Sequence, residues 1–344
     1  MINLWHLTTL ESDTMLPPKE LKLVHFQLTR NCNLRCWFCG QWGKKGFFSN
    51  ASGEAMTFGD WKMVICDLIN YREKSGISPK VMLWGGEPLM YSDFDAVSYY
   101  LSKNGFELGM ITNGVLIDKH IDTIKKCIKK MYVSIDGPKD VHNSIRGEGV
   151  FEKVLDNLKL LKDTNIEINV MTVLSKELIK NLDNFPNVLS GLNVKELLLQ
   201  EMIYLTKEET ENYSTWFEKN FERKPTEIYS WHMDIDDIFH KEKALAVGKI
   251  FENQYPFKVR YMPHGIFKDE EFCRSAFNHA HVAWNGNVLY CTDFYDFSAG
   301  NVKEGNIIDI FNNGISEKFR KEISSGNCIT CKHCSWRNNT TFDL

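Results

Sequence analysis

Cys32-Asn33-Leu34-Arg35-Cys36-Trp37-Phe38-Cys39 decides how the rest of the chain is read. Three thiols fall within eight residues, just after the alternating run Leu23-Val24-His25-Phe26-Gln27-Leu28-Thr29. Three thiolates can ligate three irons of a [4Fe–4S] cube and leave the fourth without a protein ligand. That open iron is where chemistry would take place. The competing readings are a zinc site short of one ligand and a chance grouping in a chain with ten cysteines. Zinc sites usually carry paired two-residue spacings and not a C-x3-C-x2-C triplet, so the spacing favours a cluster.

Working outward, residues 23–29 alternate with period two and read as a strand feeding the cysteine loop. The loop continues from Gly40 to Glu54, rich in Gly, Ser and aromatics. A helix follows from about Phe58, since Trp61, Val64, Ile65, Leu68 and Ile69 share one face at helical spacing. Strands at 80–84, 108–112, 131–135, 166–174 and 194–202 follow, with helical patterns near 93–101, 119–128 and 151–161. Six strand–helix units predict an α/β fold with a parallel sheet and helices outside, open or closed. Six is fewer than the eight of a complete TIM barrel. The division is a short arm over 1–20 containing Pro17-Pro18, a main domain over 21–205, a helical aromatic connection over 206–257 and a small domain over 258–344. The connection carries Trp216, Tyr229, Trp231 and Phe239, and the last 72 residues hold five cysteines.

Among 344 residues, 43% are hydrophobic and 25% charged, ordinary for a globular chain that can bury a substantial core. A net charge of −4 without a basic stripe excludes nucleic acid as the expected partner. No apolar run reaches the length of a membrane span, and the first residues lack a secretory signal's basic start. Cysteines in metal-like spacings without an export signal predict a reducing cytoplasm. Cys66 and Cys127 fall on apolar helix faces and read as core packing.

Strand parity sends Val24, Phe26 and Leu28 towards the helices and His25, Gln27 and Thr29 towards the lumen. Tyr132, Ser134 and Asp136, with Asn169 and Gln200, are expected to point inward too. A polar lumen suits a ligand site, because each such group costs free energy unless hydrogen-bonded.

The C-x3-C-x-F-C motif resembles the signature of the radical S-adenosylmethionine (radical SAM) enzymes. The resemblance implies an open, partial (β/α)6 TIM-like barrel in which Cys32, Cys36 and Cys39 ligate a catalytic [4Fe–4S] cluster. There the open iron chelates SAM, one electron cleaves it to a 5′-deoxyadenosyl radical, and Phe38 packs beside the adenine. Gly85-Gly86-Glu87-Pro88 is similar to the family's GGEP segment, which implies that Gly85, Gly86 and Glu87 meet the SAM amino group. Ser134-Ile135-Asp136-Gly137-Pro138 resembles its SIDGP segment, which makes Ser134 a contact for the SAM carboxylate or ribose. Arg146 is the expected partner of that carboxylate, and Asn169 and Gln200 complete the cofactor-binding set.

In the last part, Cys273, Gly286 and Cys291 bracket a hairpin with an Asn-Gly turn, and Cys328, Cys331 and Cys334 form a C-x2-C-x2-C segment. Spacing alone leaves zinc and a second cluster open. The arrangement resembles the SPASM/Twitch extension of radical SAM enzymes, whose full form uses about seven or eight cysteines for two cubes. Five cysteines imply one auxiliary [4Fe–4S] cluster held by Cys273, Cys291, Cys328 and Cys331, with Cys334 as spare or substitute. The implied activity is hydrogen abstraction from a small-molecule, carbohydrate or peptide substrate, for oxidation or epimerisation. Peptide maturation or cross-linking is the alternative within the family. An electron donor such as flavodoxin or ferredoxin is the implied partner. An arm too short for a leader-peptide domain tilts the expectation towards a small molecule or carbohydrate. From another class, a two-cluster electron carrier or zinc-stabilised scaffold is opposed by the polar lumen and the place of GGEP.

Overall fold

A computed structural model describes residues 18–43, 46–49, 53–234, 237–264, 275–291 and 295–326, with 273, 328, 330, 331 and 334. Most of the N-terminal arm lies outside the described residues. The strands are β1 (Leu23–Thr29), β2 (Lys80–Gly85), β3 (Leu108–Thr112), β4 (Ile128–Ser134), β5 (Glu167–Leu174), β6 (Glu196–Glu201), β7 (Lys258–Met262), β8 (His279–Val282) and β9 (Val288–Leu289). They form one sheet in the order β7-β6-β5-β4-β3-β2-β1-β8-β9. All neighbours run parallel except β8 and β9, which form the expected hairpin. Sequential parallel neighbours from β1 to β6 make the wall of a partial TIM-like barrel.

The helices between strands are α1 (Phe58–Ser75), α2 (Phe94–Lys103), α3 (Ile121–Cys127), α4 (Lys139–Arg146), α5 (Val150–Lys159), α6 (Lys176–Ile179) and α7 (Phe185–Leu189). Then come α8 (Lys207–Phe221), α9 (Asp237–Phe251), α10 (Ser275–Asn278), α11 (Ile307–Asn312) and α12 (Gly314–Ser324). Thr57 and Asp60 start α1 with a reciprocal capping box, and Gly76 ends it in the left-handed conformation. The face of α1 named from sequence is buried against β1, with Trp61 stacked on Phe26 at 4.6 Å between ring centres.

Two pairings cross the division drawn at residue 258. β7 continues the sheet beside β6, and β8 pairs in parallel with β1, placing His281 opposite His25. Partners hundreds of residues apart leave no local periodicity, so only the folded chain shows that the C-terminal region shares the main sheet.

Strand parity holds. Val24, Phe26, Leu28, Val81 and Leu83 belong to the large core under the helices, whereas Leu23, Met82, Tyr132, Leu198 and Met262 form a separate apolar floor inside the barrel. The floor seals one end, and polar groups stand between it and the loops at the carboxyl ends of the strands.

Candidate active site and metal centres

Ligands of α/β barrels sit where the strands end in their carboxyl loops. There a cavity of about 260 Å³ is lined by Cys32, Cys36, Cys39, Phe38, Gly85, Gly86, Ser134, Arg146 and Gln200. Nine of the expected residues from five strands' loops thus meet in one space. Glu87 and Asn169 do not line it.

The cysteine loop is built to carry charge on sulfur. Leu34 N–H points at Cys32 Sγ and Trp42 N–H at Cys39 Sγ, both at 3.4 Å, and Asn113 Nδ2 lies 3.9 Å from Cys32 Sγ. Burial pushes the Cys32 thiol up to about 11 despite the Leu34 N–H, and it raises Cys36 against the pull of the Arg146 guanidinium. Thiols so placed lose their protons to a cation and not to water.

Glu87 is fully buried, with no side chain surface left for the cavity. It accepts from Thr112 Oγ1 at 2.7 Å, Asn113 N at 2.7 Å and Leu89 N at 3.2 Å. Burial nonetheless lifts its carboxyl to about 7. Its work is to bolt the loop after β2 to the loop after β3, in contrast to the direct contact with the SAM amino group that the motif suggests.

The paired glycines serve the same joint. A Cβ on Gly85 would lie 2.5 Å from Thr29 O, and one on Gly86 2.4 Å from both Arg30 O and Asn31 O. Only glycine lets this turn press against the backbone entering the cysteine loop.

Arg146, at the end of α4, gives its Nε to Asp136 Oδ2 at 2.5 Å, while Asp136 Oδ1 accepts from Val173 N at 3.0 Å. Burial opposes the charge of Arg146, but Asp136 and the Cys36 sulfur hold it above its ordinary value. The guanidinium therefore reaches the cavity already paired, and the carboxylate expected to bind it would share it with Asp136.

Two lining residues escaped the sequence reading. Asn113 ends β3, donates to Asn33 Oδ1 at 2.8 Å and carries the Cys32 contact. The polar Thr112-Asn113-Gly114 at a strand's carboxyl end was its signal. Trp231 covers Gly40, where a Cβ would come within 2.6 Å of its ring, and nothing local marks it.

Deeper in the lumen, His25 stacks on His281 at 4.1 Å between ring centres. Burial holds His25 well below its usual value, His281 at about 3 and His279 at about 4, so all three are neutral. Asn169 stands beside Tyr132 in the floor and donates to Glu167.

A second cavity gathers Cys273, Cys291, Cys328, Cys331 and Cys334, walled by Tyr213, Trp216, Phe217 and Phe221 of α8 and by Tyr290, Phe297 and Phe319. The Asn-Gly turn brings the first two cysteines into place. Gly286 adopts φ +93, and a Cβ there would meet Asn301 Oδ1 at 2.5 Å. Cys328 accepts from Cys331 and Thr330, which lowers it, and Cys331 is pushed up in turn, leaving one proton between the pair.

Residues 26–185 match the family model of the Radical SAM superfamily, and residues 273–335 match that of an iron-sulfur cluster-binding domain, SPASM. The chain belongs to the radical SAM superfamily. It is 23% identical to the Fe-coproporphyrin III synthase of Methanosarcina barkeri, over 91% of this chain and 80% of that protein. To the cysteine-type anaerobic sulfatase-maturating enzyme of Clostridium novyi it is 22% identical, over 92% and 86%. Among solved structures, Streptococcus suis SuiB bound to S-adenosylmethionine aligns with TM-score 0.65 at 14% identity, over 95% of this chain and 78% of that one. A structure of anSMEcpe with bound AdoMet gives 0.58 at 18% identity, over 90% and 81%.

This radical SAM enzyme thus takes a [4Fe–4S] cluster and SAM in its barrel and auxiliary iron–sulfur chemistry in its SPASM domain. The first cavity fits its cluster: three converging sulfurs receive N–H donors and would be protonated without a cation. The second fits as well, with five sulfurs in an aromatic shell for a cube that needs four. Cys127 is buried as expected, but Cys66 is exposed on α1, 3.8 Å from Tyr100 Oη, and is not core packing. Among the described residues no helix is long and apolar enough to cross a membrane.

Proposed function

We propose that this enzyme oxidises a small organic substrate by hydrogen abstraction, with Cys32, Cys36 and Cys39 as ligands of the catalytic cluster. When bound, the reduced cluster and SAM supply a 5′-deoxyadenosyl radical, which removes hydrogen from an unactivated C–H bond. In this reading Gly85 and Gly86 offer backbone to the SAM amino group. Phe38 packs beside the adenine, Ser134 and Gln200 face the ribose side, and Arg146 takes a share of the carboxylate. Asn169 helps to fix the floor against which the substrate rests.

One observation carries the choice of oxidation over epimerisation. Epimerisation needs a thiol beside the substrate to return a hydrogen atom, and the first cavity holds only the three cysteines of the cluster loop. Cys334, the spare thiol, faces the second cavity. An auxiliary cluster held there by Cys273, Cys291, Cys328 and Cys331 is the electron sink that oxidation requires. A cavity of about 260 Å³ shared with cluster and SAM admits a small molecule, a sugar or one side chain of a peptide. Relatives named for sulfatase maturation and for a porphyrin product support that range. The setting is a reducing cytoplasm, with flavodoxin or ferredoxin as donor.

Anaerobically reconstituted protein given dithionite and SAM should release 5′-deoxyadenosine. Cys36→Ala should abolish the release and keep the C-terminal iron. An iron-loaded wild type that releases none would refute the reading and favour the electron-carrier class. With substrate in deuterated water, product that takes up solvent deuterium at the reacting carbon would point to epimerisation.

A further inference from the structure

Arg320 lies in the middle of α12 and is 1% exposed. Its Nε donates to Ala276 O and its Nη2 to Phe311 O, both at 2.7 Å, and Nη2 reaches Tyr290 Oη at 3.4 Å. The guanidinium lies 4.4 Å from the Phe311 ring centre and 5.1 Å from that of Tyr290. Its Nη1 has no hydrogen-bond partner.

The other strongly buried cations of this protein each face a carboxylate, Arg146 with Asp136 at 2.5 Å and Lys243 with Glu201 at 2.7 Å. Among the described residues no carboxylate stands within ion-pair distance of Arg320. A guanidinium cannot shed its charge, and an isolated buried charge is strongly unfavourable. Two carbonyls at the ends of short helices and the ring faces offset part of that cost. The remainder calls for an anion, and the partners of Arg320 indicate where it sits. Ala276 and Tyr290 both line the five-cysteine cavity. Four thiolates outweigh the positive charge of a [4Fe–4S] core, so the ligated cube is an anion, and one-electron reduction makes it more negative still.

We infer that Arg320 is the counter-charge of the auxiliary cluster and favours its one-electron-reduced form, an inference that rests on reading the five-cysteine cavity as a [4Fe–4S] site. Reduction adds one electron from a one-electron donor, the substrate radical in turnover and dithionite in the test. No bond breaks and no proton moves. Arg320 is thus a positioning residue: it touches no substrate, and its field sets how readily the cluster accepts the electron.

The test is an EPR-monitored redox titration with dithionite of the full-length reconstituted protein, both intact and with Cys36→Ala to silence the first cluster. Arg320→Gln should load the same C-terminal iron and shift the midpoint potential of the auxiliary cluster to more negative values. Arg320→Lys, which keeps the charge and loses the planar fork, should stay close to wild type. A loaded Arg320→Gln protein with the wild-type midpoint overturns the inference and leaves the residue a packing element of α12. If Arg320→Gln does not fold or load, Arg320→Lys decides: a wild-type midpoint supports the role of charge, and a drop overturns it. Absence of C-terminal iron in the wild type would sink the cluster reading itself, before any potential is measured.

Discussion

Asp136 and Arg146 stand or fall together. The acid is fully buried, and its two oxygens are taken by Arg146 Nε and Val173 N. Asp136→Ala leaves a guanidinium uncompensated beside the cluster loop and should cost about 3–5 kcal/mol, read from urea denaturation. Glu87→Ala strands Thr112, Asn113 and Leu89 at once, at about 1–3 kcal/mol for each buried donor left without an acceptor. It should also lower iron retention at the first site, because Asn113 then loses its hold near Cys32. A Glu87→Ala protein with wild-type stability and iron would show that the carboxylate does not join the two loops. The motif Gly85-Gly86-Glu87 revealed where these residues sit but not what they touch. Its glutamate turns inward, a choice made by donors on β3 that follow it by about 25 residues.

Elements were more legible than residues. The alternation of apolar positions placed β1 to β6, and the buried face of α1 followed from the spacing of Trp61, Val64, Ile65 and Leu68. Cys66 was assigned to the wrong side because it neighbours that face, and a helix turns about 100° per residue. Arg320 was illegible for a related reason: within Lys318-Phe319-Arg320-Lys321 it looks like any solvent-facing cation. At the junction of β2 and the cysteine loop, Gly86→Ala would drive a methyl to 2.4 Å from two carbonyl oxygens. The backbone there must move, so overpacking by about 1–3 kcal/mol and loss of first-site iron are expected. Calorimetry with iron analysis checks both, and unchanged iron would mean that the loop yields freely.

For the whole molecule, acid is the expected weakness. His25, His142, His279 and His281 are buried and neutral, His142 and His279 at about 4 and His281 at about 3. The unfolded chain binds protons at these rings below about pH 6.5 and the folded one does not, so stability falls as pH drops from there towards 4. At pH 5 the loss is about 2 kcal/mol per histidine. Glu87 works in the opposite sense: its raised carboxyl, at about 7, stabilises the fold below pH 4.5 and loses that contribution as pH rises through 7. Four rings outweigh one carboxyl, so the urea midpoint should fall between pH 7 and pH 5. His281→Phe should flatten that slope, and an unaltered slope would exclude His281 as a cause. This cluster was half legible, since parity sent His25 inward, but its stacking on His281 depends on a pairing between strands some 250 residues apart.

That pairing makes β1 a shared beam. One end of it launches the loop with Cys32, and one edge is zipped to β8, whose hairpin leads to Cys291. The two sulfur-lined chambers are therefore held apart by a ladder of peptide hydrogen bonds and not by a tether. An electron leaving a substrate would cross a gap fixed by the sheet, and the small domain could not be cut away without baring an edge of the barrel.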